Sequence, residues 1–350
     1  MMKSVSPADS AFALALAHPR RKFLQNAGAG AAAALLAGVG PQAWGQQQPA
    51  ALETARIIVG FAAGGTADTV SRRVADKLRP GYASSVVVEN KTGAGGQIAV
   101  QFVKTAPADG ATLLLTPMSM LGLYPHTYKK LPYDPVADLV PVSGAALFDY
   151  GFAVGPMVSA SVKTVPEFLA WCKSNPTLAN FGSPGAGSGP HFVGSLIGRT
   201  GNIDLRHVPF RGTQPAVLDM IGGQIASVCG PSGDFAQHVS GGKCRLLATS
   251  GQKRGKFTPA TPTLQEQGLK DLAFTEWFGF FVPAKTPADT VQRLNAAIRG
   301  VLAAQDVIDG LAQLYLEPLP TTSAQLAGML KSDTDMWGPL VKAVGFTPEG

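Results

Sequence analysis

The sequence predicts an α/β protein of two lobes, each a mostly parallel sheet flanked by helices, with two strands crossing between them. Three observations carry this prediction. Two strand–glycine–helix units stand in tandem: Arg56-Ile-Ile-Val-Gly-Phe-Ala-Ala-Gly-Gly-Thr-Ala-Asp68 runs into a helical pattern over 69–78, and Val86-Val-Val-Glu-Asn-Lys-Thr-Gly-Ala-Gly-Gly96 into another over 97–104. The same strand–helix alternation resumes over 179–249. Two long apolar runs, 140–154 and 274–282, bracket that second set and suit strands that pass from lobe to lobe. Strands alternating with helices at this spacing argue for parallel sheets covered on both faces.

Residues 1–45 read as an export signal rather than as part of the fold. Arg20-Arg-Lys-Phe-Leu-Gln25 precedes an Ala- and Gly-rich apolar run over 27–39, and Ala43-Trp-Gly45 places small residues at a cleavage site. The paired arginines suggest the twin-arginine route. A helix over 27–39 rises only roughly 20 Å, short of the about 30 Å of a bilayer core, so a membrane anchor is not expected. No cysteine lies near the cleavage region, which leaves a lipid anchor unsupported. The mature protein is expected in the periplasm, free of the membrane.

After a Gln- and Ala-rich leader over 46–54, the elements follow in order. The first lobe opens with strands over 56–61, 86–89 and 112–116 and helices over 66–78 and 96–105, with Thr66 or Asp68 as caps of the first helix. Residues 117–138 are irregular and broken by prolines. The first crossing leads to a helix over 165–173, with Thr164 as N-cap and Pro166 in its first turn. The second lobe then alternates strands at 179–182, 205–209, 227–230 and 245–249 with helices at 189–199, 213–220 and 234–239. The return crossing is followed by helices over 287–303, 305–314 and 323–344. The domain division is therefore 51–149 plus 275–350 for the first lobe and 150–274 for the second. A cleft between two such lobes is where a ligand pocket is expected.

Composition sets limits. The chain has 350 residues, 45% of them hydrophobic and 15% charged, enough for two lobes with real cores. Without the signal, which holds Lys3, Arg20, Arg21, Lys22 and Asp9, 25 basic and 22 acidic residues remain, a net charge of only +3. The densest basic cluster left, Lys253-Arg254-Gly-Lys256, has no interleaved aromatics, so no nucleic-acid partner is expected. Cys172, Cys229 and Cys244 are an odd count in an exported chain. Cys229 and Cys244 lie on adjacent predicted elements and either pair or pack as buried thiols.

The candidate chemistry lies where strands end in glycine and helices begin. The N–H groups of Gly65, Thr66 and Ala67, with the Thr66 hydroxyl and with Phe61 and Gly64 beside them, suit a carboxylate. Asp68 faces the wrong way electrostatically for an anion; it organises the loop or holds a water or a ligand amine. The second lobe offers Phe181-Gly-Ser-Pro-Gly-Ala-Gly-Ser-Gly-Pro-His191, with Ser183, Gly187, Ser188 and His191 at another helix start. Arg211 offers a bidentate fork for a second carboxylate or else stands solvated at a turn, and Gly212 and Thr213 open the next helix. Pro231-Ser-Gly-Asp234 forms a further turn whose Ser232 and Asp234 line the rim.

Enzyme signatures are missing from the sequence. There is no G-x-x-x-x-G-K-[ST] loop, no G-x-S-x-G elbow, and the residues 60–65 do not fit G-x-G-x-x-G. The five histidines show no metal-ligand spacing, and neither a metal nor a cofactor is expected.

These loops also carry a family resemblance. Val59-Gly-Phe-Ala-Ala-Gly-Gly-Thr-Ala-Asp-Thr-Val-Ser-Arg72 resembles the first loop of Bug-type solute receptors, the extracytoplasmic binding proteins of tripartite tricarboxylate transporters. Val88-Glu-Asn-Lys-Thr-Gly-Ala-Gly-Gly96 is similar to their second loop. The likeness continues through Ala108-Asp-Gly-Ala-Thr-Leu-Leu-Leu115, Leu131-Pro-Tyr-Asp-Pro-Val-Ala-Asp138, Val208-Pro-Phe-Arg-Gly212, Gly222-Gly-Gln-Ile225, Leu247-Ala-Thr-Ser250 and Trp277-Phe-Gly279. Ala63 departs from the family's usual proline and Phe210 from its usual tyrosine. The resemblance implies a periplasmic-binding-protein-like clam shell that closes over a small organic carboxylate, does no chemistry on it, and presents it to the permease subunits of a tripartite tricarboxylate transporter. A monomer is expected. The alternatives are an extracytoplasmic hydrolase or isomerase of small acids on the same scaffold, and a ligand sensor for a membrane kinase.

Overall fold

A computed structural model describes residues 51–350; the signal read over 1–45 lies outside them. In chain order the first lobe begins β1 (Leu52–Val59), α1 (Thr66–Leu78), β2 (Ala83–Asn90), α2 (Gln97–Lys104) and β3 (Thr112–Pro117). Two short helices, α3 (Ser119–Gly122) and α4 (Tyr124–Thr127), occupy the stretch expected to be irregular. The crossing strand β4 (Leu139–Val154) leads to α5 (Val165–Ser174), β5 (Asn180–Ser183), α6 (Gly189–Thr200), β6 (Arg206–Pro209), α7 (Thr213–Ile221), β7 (Ser227–Pro231), α8 (Ala236–Ser240) and β8 (Arg245–Thr249). The return strand β9 (Thr275–Pro283) is followed by α9 (Ala288–Leu302), α10 (Gln305–Ala312), the two-residue β10 (Glu317–Pro318) and α11 (Ser323–Ala343). The α/β class and the two-lobed architecture are those predicted.

The strands run in the order β2-β1-β3-β9-β4-β7-β5-β6, with β8 and β10 also on β4. β1 pairs with β2 and β3 in parallel, and β5 pairs with β6 and β7 in parallel. The two crossing strands are antiparallel to each other and to their neighbours. β4 changes partners along its length: Leu139 to Asp149 pair with β9, and Tyr150 to Val154 pair with β7. That change of partner is the seam between the lobes, where open α/β sheets place their ligands.

The elements form for local reasons. All six residues of β3 are buried, as an interior parallel strand with helices on both faces requires. In α1 the residues Val70, Val74 and Leu78 repeat at four-residue spacing and are buried, while Arg72, Arg73 and Asp76 stay outside the core. Each such side chain contributes about 1.5–3 kcal/mol of burial. Helix α5 has the expected Thr164 cap, completed as a reciprocal box with Glu167. Helix α1 departs from expectation: its N-cap is Gly65, and neither Thr66 nor Asp68 caps it.

Cys172, Cys229 and Cys244 are all free and buried. The suggested Cys229–Cys244 bridge is ruled out by topology. β4 pairs with β7, which carries Cys229, and also with β8, which follows Cys244. Two strand spacings, roughly 9–10 Å, exceed what a disulfide spans.

Candidate functional site

The turns that follow β1, β5, β6 and β7 all face the seam between the lobes. Their convergence encloses a cavity that leaves about 40 Å³ for water centres, room for roughly three waters. From the first lobe it is lined by Phe61, Ala62, Gly65, Thr66 and Ala67 at the start of α1. The second lobe supplies Ser188 and Pro190 at the start of α6, Thr213 at the start of α7, and Asp234 after β7. The floor comes from the crossing strands, with Phe148 and Tyr150 on β4 and Glu276 and Phe278 on β9. Ser119 of α3 completes it.

Three helices of nine residues or more thus begin at one cavity. Their first turns carry N–H groups without intrahelical partners and the positive ends of three helix dipoles. One of these donors is already spoken for: the Thr66 N–H donates to Asp234 Oδ1 at 2.7 Å, from one lobe to the other. Ser188 is the N-cap of α6 and its hydroxyl accepts the His191 N–H at 3.3 Å.

Two acids line the cavity. Asp234 is 4% and Glu276 2% exposed. Glu276 Oε1 accepts the Ser119 N–H at 2.7 Å, and its Oε2 takes the Tyr150 hydroxyl. Burial pushes the Asp234 carboxyl up to about 6 and the Glu276 carboxyl up to about 7. No Lys, Arg or His is among the lining residues described, so the side-chain charge of the cavity is wholly acidic.

The lobes meet in hydrogen bonds to backbone carbonyls around this cavity. The Ala62 N–H donates to the Arg211 carbonyl at 3.1 Å. Tyr128 donates its hydroxyl to the Ala186 carbonyl at 2.7 Å and Thr127 to the Gly187 carbonyl at 2.9 Å. Gly185 approaches Gly95 so closely that a Cβ at 185 would stand 2.8 Å from the Gly95 Cα. Glycine at that position is what lets the two loops touch.

Of the residues singled out from sequence, Phe61, Gly65, Thr66, Ala67, Ser188, Thr213 and Asp234 come together at the cavity. The others do not line it. Asp68 turns away from it and organises the loop: it accepts the Gly64 N–H at 3.0 Å, Arg72 Nε at 2.9 Å and Asn90 Nδ2 at 2.9 Å. Burial alone would raise its carboxyl, but Arg72, the Gly64 N–H and Asn90 hold it below the ordinary value. His191 supports the second loop from behind. Its Nδ1 accepts the Gly187 N–H at 3.0 Å, and its ring stacks on His207 at 3.7 Å. Ser183 shares a 2.7 Å hydrogen bond with His207 Nε2. Burial lowers the His191 imidazole to about 4 and that of His207 to about 3.

Arg211 lines an outer groove with Gly93, Gly95 and Gly96 rather than the cavity. Gly212 caps α7 with φ 119°, a glycine conformation that sets the helix entry. Ser232 faces a separate groove beside Asp149 and Thr275. The sequence reading missed Tyr150, Glu276, Ser119, Phe148 and Phe278. Their one signal was a lone glutamate inside the apolar run 274–282, an unusual place for an acid.

Among the described residues no helix is long and apolar enough to cross a membrane, and no three His, Cys, Asp or Glu side chains cluster in a way that could hold a metal.

Comparison with known proteins adds a family to this geometry. The sequence model described as "Tripartite tricarboxylate transporter family receptor" matches residues 70–346. The "UPF0065 protein in gbd 5′region" of Cupriavidus necator is 32% identical over 88% of this chain and 92% of that protein. Among solved structures, the periplasmic binding protein BugD superimposes with a TM-score of 0.78 at 28% identity, covering 85% of this chain and 99% of that one. MatC from Rhodopseudomonas palustris, with bound malate, superimposes with a TM-score of 0.77 at 28% identity, over 82% of this chain and 98% of its own.

Proposed function

Because the chain belongs to the tripartite tricarboxylate transporter receptor family, we propose that it is an extracytoplasmic solute receptor that captures a small carboxylate between its lobes and delivers it to the permease of such a transporter. One observation carries the reading: three helix N-termini from two lobes open on one cavity, and a carboxylate already accepts a hydrogen bond from one of them. Backbone donors aimed at a buried anion bind it without a basic side chain. The malate in MatC supports the ligand class. The ligand contacts we assign are Gly65, Thr66, Ala67, Ser188 and Thr213, with Phe61 as an apolar wall.

The mechanism follows from the seam. Opening the lobes breaks the Thr66–Asp234 and Ala62–Arg211 bonds and exposes the helix N-termini, and closure over an acid excludes water from around it. The receptor family supports binding without turnover, which we propose here. We also assign the mature protein to the periplasm, reached through the Arg20-Arg21 signal. Calorimetry against a panel of small mono-, di- and tricarboxylates and amino acids tests the reading. One-to-one binding, with every acid recovered unchanged, is expected. Turnover of any bound acid would replace the receptor by an enzyme.

A further inference from the structure

The cavity does not have the charge of a polycarboxylate site. Among the described residues it is lined by two buried acids, Asp234 and Glu276, and by no basic side chain. Neither acid has a cationic neighbour among the groups that shift it. Against them stand only three helix N-termini, each worth about half a positive charge. A dicarboxylate would add two negative charges to a cavity already lined by two acids, both ionised at the pH 8 of the test below. A buried charge without a partner is costly.

The two acids reach the cavity from different elements, Asp234 from the turn after β7 and Glu276 from the crossing strand β9. Around Glu276 lie aromatic walls: Phe148 and Phe278 stack with centroids 4.5 Å apart, and Tyr150 donates its hydroxyl to the carboxylate itself. Aromatic faces with a carboxylate among them suit an ammonium group. The helix N-termini suit a carboxylate. The opening left between the lobes is small, with room for roughly three waters.

The geometry points to a small zwitterion, one carboxylate and one ammonium on a short spacer, as the ligand class of this cavity, in preference to a di- or tricarboxylate. The inference rests on the receptor reading and narrows it. The ligand carboxylate meets the first turns of α1, α6 and α7, and its ammonium meets Asp234 and Glu276 against Phe148 and Phe278. The two acids thereby act as specificity residues: they attract the amine and repel a second carboxylate.

The test compares molecules that differ only at the far end. β-Alanine, butyrate and succinate share a two-carbon spacer that carries an ammonium, a methyl or a second carboxylate. Calorimetry at about pH 8, extended to the common α-amino acids and their matched diacids, is expected to find the tightest amino acid bound at least tenfold better than its diacid. Asp234→Asn and Glu276→Gln should each shrink that ratio by tenfold or more, and each variant is checked for folding by circular dichroism. A diacid that binds as well as its matched amino acid overturns the zwitterion assignment and leaves the carboxylate receptor standing. Binding of no acid in the panel overturns both. A preference for amines that persists unchanged in both variants also overturns it, because the charge selection would then lie elsewhere.

Discussion

Asp234 caps a helix to which it does not belong. Its Oδ1 accepts the Thr66 N–H at 2.7 Å, 168 residues away in sequence and on the opposite lobe. A hydrogen bond to a charged group is worth about 1.5–3 kcal/mol, so this contact weighs on the balance between open and closed lobes. Asp234→Ala removes it and leaves α1 without any side-chain cap. The ligand-free variant should open, read as a larger radius of gyration by small-angle scattering than the parent under the same conditions. Superimposable profiles would show that other seam contacts, such as Tyr128 to Ala186, hold the lobes without it.

Gly65 tests the backbone donors directly. Its φ of −79° lies within reach of proline, so Gly65→Pro deletes one N–H at the mouth of α1 without forcing the chain at that residue. A Cβ at the same place would stand 3.5 Å from Asp234 Oδ1, an ordinary contact. Gly65→Ala should therefore bind carboxylates within about threefold of the parent. Gly65→Pro should lose ten- to hundredfold, the worth of one charge-assisted bond. Equal affinities for the two variants would remove the Gly65 N–H from the site.

Much of this was legible in the sequence, and the reasons are specific. Glycine-terminated strands followed at once by helices marked the starts of α1, α6 and α7, because only backbone geometry is needed to see a helix N-terminus. The bounds of α1, 66–78, were read without error. The acids and aromatics of the floor were not read as a site. Tyr150 and Glu276 sit inside long apolar runs, and an apolar strand in sequence looks like core whether or not one face lines a cavity. Asp68 and Arg211 show the converse. Both stand next to cavity residues, yet Asp68 is claimed by Arg72 and Asn90, the latter 22 positions away, and Arg211 lines the outer groove. Partners at that distance leave no mark on local pattern.

Arg211 gives a prediction of little effect. Its carbonyl, not its guanidinium, makes the contact with the first lobe, and that bond survives truncation of the side chain. Arg211→Ala should change affinity by less than about threefold, equally for monoacids and diacids, since an exposed charge outside a closed cavity is screened. A loss confined to diacids would return Arg211 to the role of a second carboxylate clamp.

Export is separable from binding. If Arg20-Arg21 is a twin-arginine signal, changing both to Lys should hold the precursor in the cytoplasm while the purified mature protein, starting near Gln46, binds as before. Fractionation with N-terminal sequencing reads both. Periplasmic delivery of the double variant at the normal level would assign export to the general secretory route.

The pH dependence of stability sets two pairs of groups against each other. Asp234 and Glu276 have their carboxyls raised by burial, to about 6 and about 7, from ordinary values of 3.8 and 4.5. The folded protein therefore holds protons that the unfolded chain has released. The stability this adds is whole below the ordinary carboxylate range and is lost as pH rises through 6 and then 7. His191 and His207 are lowered by burial, to about 4 and about 3, from 6.5. Their contribution is whole above pH 6.5 and is lost as pH falls through 4 and 3. Between about pH 4.5 and 6.5 the two slopes have opposite signs and partly cancel. Glu276→Gln deletes one carboxylate term of roughly 3 kcal/mol at most. The variant's melting temperature should then climb with pH across that interval more steeply than the parent's, and should fall less between pH 6 and 8. Parallel melting curves for variant and parent at every pH would mean that Glu276 does not bind its proton in the folded state, and that its charge is balanced within the cavity by the Ser119 N–H and the Tyr150 hydroxyl alone.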